Sequence, residues 1–174
     1  MVDTVLIPID GSAASRRAVE FGSDLAVRYR ARLILLHVLL RQNLAEAMRG
    51  LTEVERSGGL DAGALAKSLG DIPLKDLLGV RADPVSAPQE VLDAIATKVI
   101  EYAERLARSK GLSDVKSVIE DGDPVRRILE LADQENVDVI VMGARGLSDV
   151  EALLLGSVSR SVSHLARCTC ITVR

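Results

Sequence analysis

The chain has 174 residues, of which 48% are apolar and 27% charged, and its net charge is −3. That is enough for one domain with a sizeable core, and the charge balance lacks the basic footprint of a nucleic-acid binder. One Phe, two Tyr and no Trp leave no aromatic platform for single-stranded bases, and no apolar run approaches the roughly 20 residues of a membrane span.

Strand and helix patterns alternate from the start. Residues 3–9 form a short apolar run that stops at the turn signal Asp10-Gly11-Ser12. The run begins at once, without the basic-then-apolar pattern of a signal peptide, so a cytoplasmic protein is expected. Ala14 to Arg30 places Ala18, Phe21, Leu25 and Ala26 at helical spacing, with Ser12 or Ser15 available as a cap. Arg32 to Leu40 is a continuous apolar run, as a strand buried on both faces requires. Val91 to Ser109 reads as a long amphipathic helix with Gly111 just beyond its end. Val115 to Glu120 is a third strand. Pro124 opens the next helix, to about Asn136, behind an Asp123 cap. Val137 to Met142 is a fourth strand, Ser157 to Arg167 a fourth helix and Cys168 to Val173 a last strand. Cys168 and Cys170 are expected on opposite faces of that strand, unbridged and reduced.

Such alternation implies an α/β fold, a doubly wound parallel sheet with right-handed crossovers and helices on both faces. Residues 41–90 break the rhythm. Asn43 to Arg56 has a helical pattern, and the glycines and prolines beyond it signal turns. Two readings stay open for this insertion: a loose loop outside the core, or a lid or partner-binding arm.

Ligands of doubly wound sheets sit beyond the carboxyl ends of the strands, where strand order reverses. In a 3-2-1-4-5 order that point lies between the first and fourth strands. Pro8-Ile9-Asp10-Gly11-Ser12 and Met142-Gly143-Ala144-Arg145-Gly146 would then meet at one crevice. Gly143 and Gly146 would let backbone approach a bulky anion. Gly156 and Ser157 begin a helix whose free N–H groups attract phosphate, with the Ser157 and Ser159 hydroxyls beside Val158 as further donors. Asp10 suits ribose hydroxyls or a hydrated Mg²⁺. Val38 and Ile9 offer apolar surfaces for a base. Arg145 is either a phosphate contact or a solvated loop charge. A P-loop needs Gly-Lys-Ser/Thr at the helix start, whereas Gly156-Ser157 is followed here by Val158, and no G-x-G-x-x-G follows the first strand.

Gly143, Gly146, Gly156 and Ser157 match G-x₂-G-x₉-G-[S/T] in full. With Pro8-Ile9-Asp10-Gly11-Ser12, Leu36-His37-Val38 and Gly122-Asp123-Pro124, they make the chain resemble the nucleotide-binding universal stress proteins. The resemblance covers residues 2–40 and about 91–174 but not the insertion, so the chain reads as one domain, 1–174, with a family-atypical insertion at about 41–90. It implies the 3-2-1-4-5 order, ATP or AMP binding, and homodimers; the last strand, at a sheet edge, is the expected interface. Thr169 stands where proline is usual, and Gly22 where alanine is common.

Three functions follow as expectations. The first is an adenine-nucleotide-binding stress-response or regulatory protein that signals by occupancy. The second is a slow ATPase or self-phosphorylating enzyme, for which no general base is evident. The third is a scaffold whose insertion binds a protein partner. Zinc at His37, His164, Cys168 and Cys170 fits no usual spacing, and Glu120, Asp121 and Asp123 read more simply as loop charge and a helix cap than as a metal or catalytic cluster.

Overall fold

A computed structural model of the chain describes residues 1–39, 49–50, 52–54, 56, 89–146 and 155–174. Five strands form one parallel sheet: β1 (Thr4–Ile9), β2 (Arg32–Leu39), β3 (Val115–Asp121), β4 (Val139–Gly143) and β5 (Thr169–Val173). Their order is β3-β2-β1-β4-β5, the order expected from the sequence. The helices are α1 (Ala13–Tyr29), α2 (Gln89–Ser109), α3 (Pro124–Gln134) and α4 (Ser157–Leu165).

Alternation along the strands builds two cores. Val5, Ile7, Leu33, Leu35, Val139 and Val141 pack with α1 and α2 on one face. Leu6, Ile34, Leu36, Ile140 and Met142 pack with Ile128 and Leu131 of α3 and Val162 of α4 on the other. Successive side chains point to opposite faces, so the unbroken apolar runs of β1 and β2 serve both layers.

The caps follow local chemistry. Ser12 caps α1, accepting the Ser15 N–H at 3.1 Å, and Asp123 caps α3, accepting the Arg126 N–H at 2.8 Å, with Pro124 in the first turn. Gly111, beyond α2, has φ +96°.

Four expectations need correction. Phe21 is 46% exposed; the buried stripe of α1 is Ser15, Ala18, Val19, Gly22, Ser23 and Ala26. These small residues let the helix lie close to the sheet, and a Cβ on Gly22 would lie 2.5 Å from Ile7 Cδ1. Close packing thus accounts for glycine inside the helix. Cys168 and Cys170 do not face opposite ways: residues two apart in a strand share a face, and both thiols, free, pack against the α3–α4 core. Burial pushes both thiols above their ordinary pKa, which lowers their reactivity. Elements also shift at their ends: α3 stops at Gln134, and β4 begins at Val139. Lastly, part of the insertion does join the core. Residues 49–50, 52–54 and 56 are helical, and Val54, 1% exposed, belongs to the α1–α2 core. The remainder of 41–88 lies outside the described residues. Among those described, no helix is long and apolar enough to cross a membrane.

Candidate functional site at the strand-order reversal

β1 has β2 on one side and β4 on the other, so the sheet reverses direction at the β1–β4 seam. An open cleft lies beyond the carboxyl ends of these strands, with about 750 Å³ of space between its walls, part of it open to solvent. Twelve of the thirteen expected residues border it: Pro8, Ile9, Asp10, Val38, Met142, Gly143, Arg145, Gly146, Gly156, Ser157, Val158 and Ser159. Ser12 does not; its side chain is spent on the α1 cap, and it borders a small recess on the α1–α2 side. Four bordering residues were not anticipated: Ser15, Leu36, Pro124 and Ile128. Leu36 had a signal, since it lies two residues before Val38 and therefore on the same face of β2.

The walls differ in character. Leu36, Val38, Ile128 and Met142 make one side apolar. Ile9 borders the cleft, but its side chain belongs to the α1–α2 core, so it is no platform for a base. The other side is a polar rim. Asp10 Oδ1 accepts the Ser12 N–H at 2.9 Å, which braces the turn after β1. A Cβ on Gly146 would lie 2.8 Å from Asp10 Oδ2, so any side chain there would push that carboxylate aside. Gly143 has a different reason: its Cβ would lie 2.8 Å from the Ala14 carbonyl carbon and 2.9 Å from Ala14 Cβ. The close approach of α1 to β4 requires glycine there whether or not an anion ever arrives.

The segment from Ala144 to Gly156 is closed at its base. The Gly156 N–H donates to the Ala144 carbonyl at 2.7 Å, and Ser159 Oγ lies 2.9 Å from the Ala144 carbonyl and 3.1 Å from that of Gly156. The single Ser159 proton goes to main-chain carbonyls. Ser159, 4% exposed, therefore positions the loop and has no proton left for a phosphate oxygen. Ser157 is exposed at the first position of α4. The cap residue Gly156 makes no side-chain hydrogen bond to the helix, and the first turn carries no acid. Among the described residues, the positive end of α4 thus borders the cleft without a side-chain acceptor on it.

The remaining chemistry-bearing residues lie elsewhere. His37 is 8% exposed, and its Nδ1 donates to the Ile9 carbonyl at 2.9 Å; burial lowers its pKa. His164 is exposed in the last turn of α4. Arg127 draws the β3 acidic end inward, its Nε donating to the Asp121 carbonyl at 2.8 Å and standing 4.0 Å from Glu120. Among the described residues no group of three or more His, Cys, Asp or Glu is placed to hold a metal ion.

The sequence profile of the Universal stress protein family matches residues 1–174. The universal stress protein YxiE of Bacillus subtilis is 29% identical over 181 residues, covering 100% of both chains. Two solved structures share the fold. One is a universal stress protein in complex with cAMP, with a TM-score of 0.61, 23% identity and coverage of 99% of this chain and 97% of the other. The second is the universal stress protein from Archaeoglobus fulgidus in complex with dAMP, with a TM-score of 0.61, 16% identity and full coverage of both chains. With the sheet order and the whole-length match agreeing, the chain belongs to the universal stress protein family.

Proposed function

We propose that the cleft binds an adenine nucleotide, ATP or AMP, and that the protein acts as a stress-response regulator through the occupancy of that site. One observation carries the reading: the positive end of α4, whose cap is the glycine Gly156, the Gly146 backbone and the Asp10 carboxylate border one cleft whose opposite wall is apolar. An adenine is a flat apolar body, and Leu36, Val38, Ile128 and Met142 suit it. Asp10 is placed to accept ribose hydroxyls or to hold a hydrated Mg²⁺ carried by the phosphates. The Ser157 hydroxyl and the first N–H groups of α4 are donors for phosphate. The cAMP and dAMP complexes of proteins with the same fold support the choice of nucleotide class.

In this reading the chain is one domain with an insertion at about 41–90, open to a protein partner, and it works in the cytoplasm. It pairs as a homodimer through the outer edge of β5. The Thr169 N–H donates toward β4, to the Asp138 carbonyl at 3.1 Å, so alternation turns the Cys170 and Thr172 N–H groups outward. Among the described residues no strand pairs with this edge, and a second copy would satisfy its groups. Calorimetric titration of the purified protein with ATP, AMP and GTP tests the central reading. Saturable binding of ATP or AMP is expected, and absence of binding by either rules it out.

A further inference from the structure

The turn that carries Asp10 has a second neighbour. Gly11, at φ +86°, is packed so tightly that a Cβ on it would lie 2.8 Å from the Gly50 carbonyl oxygen and 2.9 Å from Gly50 Cα. Backbone meets backbone there, through two glycines. Gly50 lies in the helical part of the insertion, which Val54 anchors in the α1–α2 core at 1% exposure. The turn is thus held from two sides: Asp10 faces Gly146 and the cleft, while Gly11 faces Gly50.

We infer that nucleotide in the cleft and seating of the helical residues 49–50, 52–54 and 56 are coupled through the Asp10-Gly11-Ser12 turn, each favouring the other. The inference rests on the nucleotide reading above. Glycine has access to both signs of φ, so the turn has alternatives to φ +86°. The conformation that directs Asp10 toward the cleft is the one that presents a bare Gly11 face to Gly50. A ligand on Asp10 and a seated helix therefore select the same turn conformation. Whichever binds first bears the ordering cost, and the other then binds more tightly. Linkage makes the effect reciprocal. The insertion thereby reads the state of the cleft, and a partner that grips or releases these residues changes nucleotide affinity.

The test uses the full chain. Hydrogen–deuterium exchange of the wild type is followed with and without saturating ATP, and ATP affinity is measured for wild type, Val54→Ala and Thr52→Ala. Val54→Ala loosens the core anchor without touching the cleft, and Thr52 is exposed on the same segment. Expected are slower exchange of amides 50–54 with ATP, an affinity loss of about fivefold or more for Val54→Ala, the lower end of usual coupling, and little change for Thr52→Ala. If wild type binds neither ATP nor AMP, the nucleotide reading fails and the coupling with it; if it binds AMP alone, the same measurements are made with AMP. If wild type binds ATP but exchange at 50–54 is unmoved, the coupling alone is wrong. The same holds if folded Val54→Ala stays within about twofold of wild type, the scatter of independent sites. Should Val54→Ala not fold, the wild-type exchange result decides.

Discussion

Replacing Ser157 by Asp should move stability and nucleotide affinity in opposite directions. Ser157 is exposed at the first position of α4, whose cap is a glycine without a side-chain bond and whose first turn lacks an acid. For the fold, a carboxylate here meets the positive helix end and adds roughly 0.3–1 kcal/mol. For a bound triphosphate, the same carboxylate is a like charge. At about 5 Å, one pair of unit charges costs about 0.8 kcal/mol in water and about 3 kcal/mol at an effective dielectric of 20. A partly exposed cleft lies nearer the watery limit, and more than one phosphate charge is involved. The hydroxyl donor is lost as well, at about 1 kcal/mol. The sum is about 2–3 kcal/mol, or roughly thirtyfold to 150-fold weaker ATP binding. The loss should be smaller for AMP and should shrink as salt is raised. Thermal melting and calorimetric titration measure the two sides. A folded Ser157→Asp variant that binds ATP as wild type does would refute the placement of phosphate at α4.

Further expectations follow from packing and charge. Gly22→Ala removes a helix-interior glycine, a gain of about 1 kcal/mol, but drives a methyl into Ile7 Cδ1 at about 1–3 kcal/mol; the double variant with Ile7→Val should be more stable than the sum of the singles, and simple additivity in denaturant titrations would sink this account. Because burial lowers the pKa of His37, the unfolded chain holds more protons below the ordinary histidine value of about 6.5. Stability should therefore be full above that pH and fall as pH drops from there toward the folded value, and His37→Gln should flatten the slope. Thr172→Pro deletes an outward N–H of β5 and should turn a dimer into a folded monomer in sedimentation, whereas Ile171→Pro should cost stability by breaking the β4 ladder; an unaltered Thr172→Pro dimer would place the interface elsewhere.

What was legible in the sequence was whatever a local pattern writes plainly. Continuous apolar runs in β1 and β2 and the Asp123-Pro124 start of α3 led to the elements, while the glycines after β4 carried the family resemblance that implied the sheet order and, with it, most of the cleft border. Harder to read was anything set by distance between elements. The exposure of Phe21 and the burial of Gly22 depend on how near α1 lies to Ile7. The reason for Gly143 is the backbone of Ala14, and no spacing rule separates that from an anion site. Pro124 and Ile128 reach the cleft from α3 because β3 ends nearby, a relation visible only once the sheet is assembled. Val54 was legible as part of the helical pattern of Asn43 to Arg56, but only packing tells a core anchor from a surface contact.

The central claim is that adenine nucleotide occupies the β1–β4 cleft, and amide chemical-shift mapping by NMR tests it most directly. Addition of ATP should shift the amides of Asp10, Val38, Gly143 to Gly146 and Gly156 to Ser159, and leave Asn136 and Leu165, at the opposite end of α3 and α4, in place. Saturable shifts centred on Asn136 and Leu165, or none at all, would contradict the account.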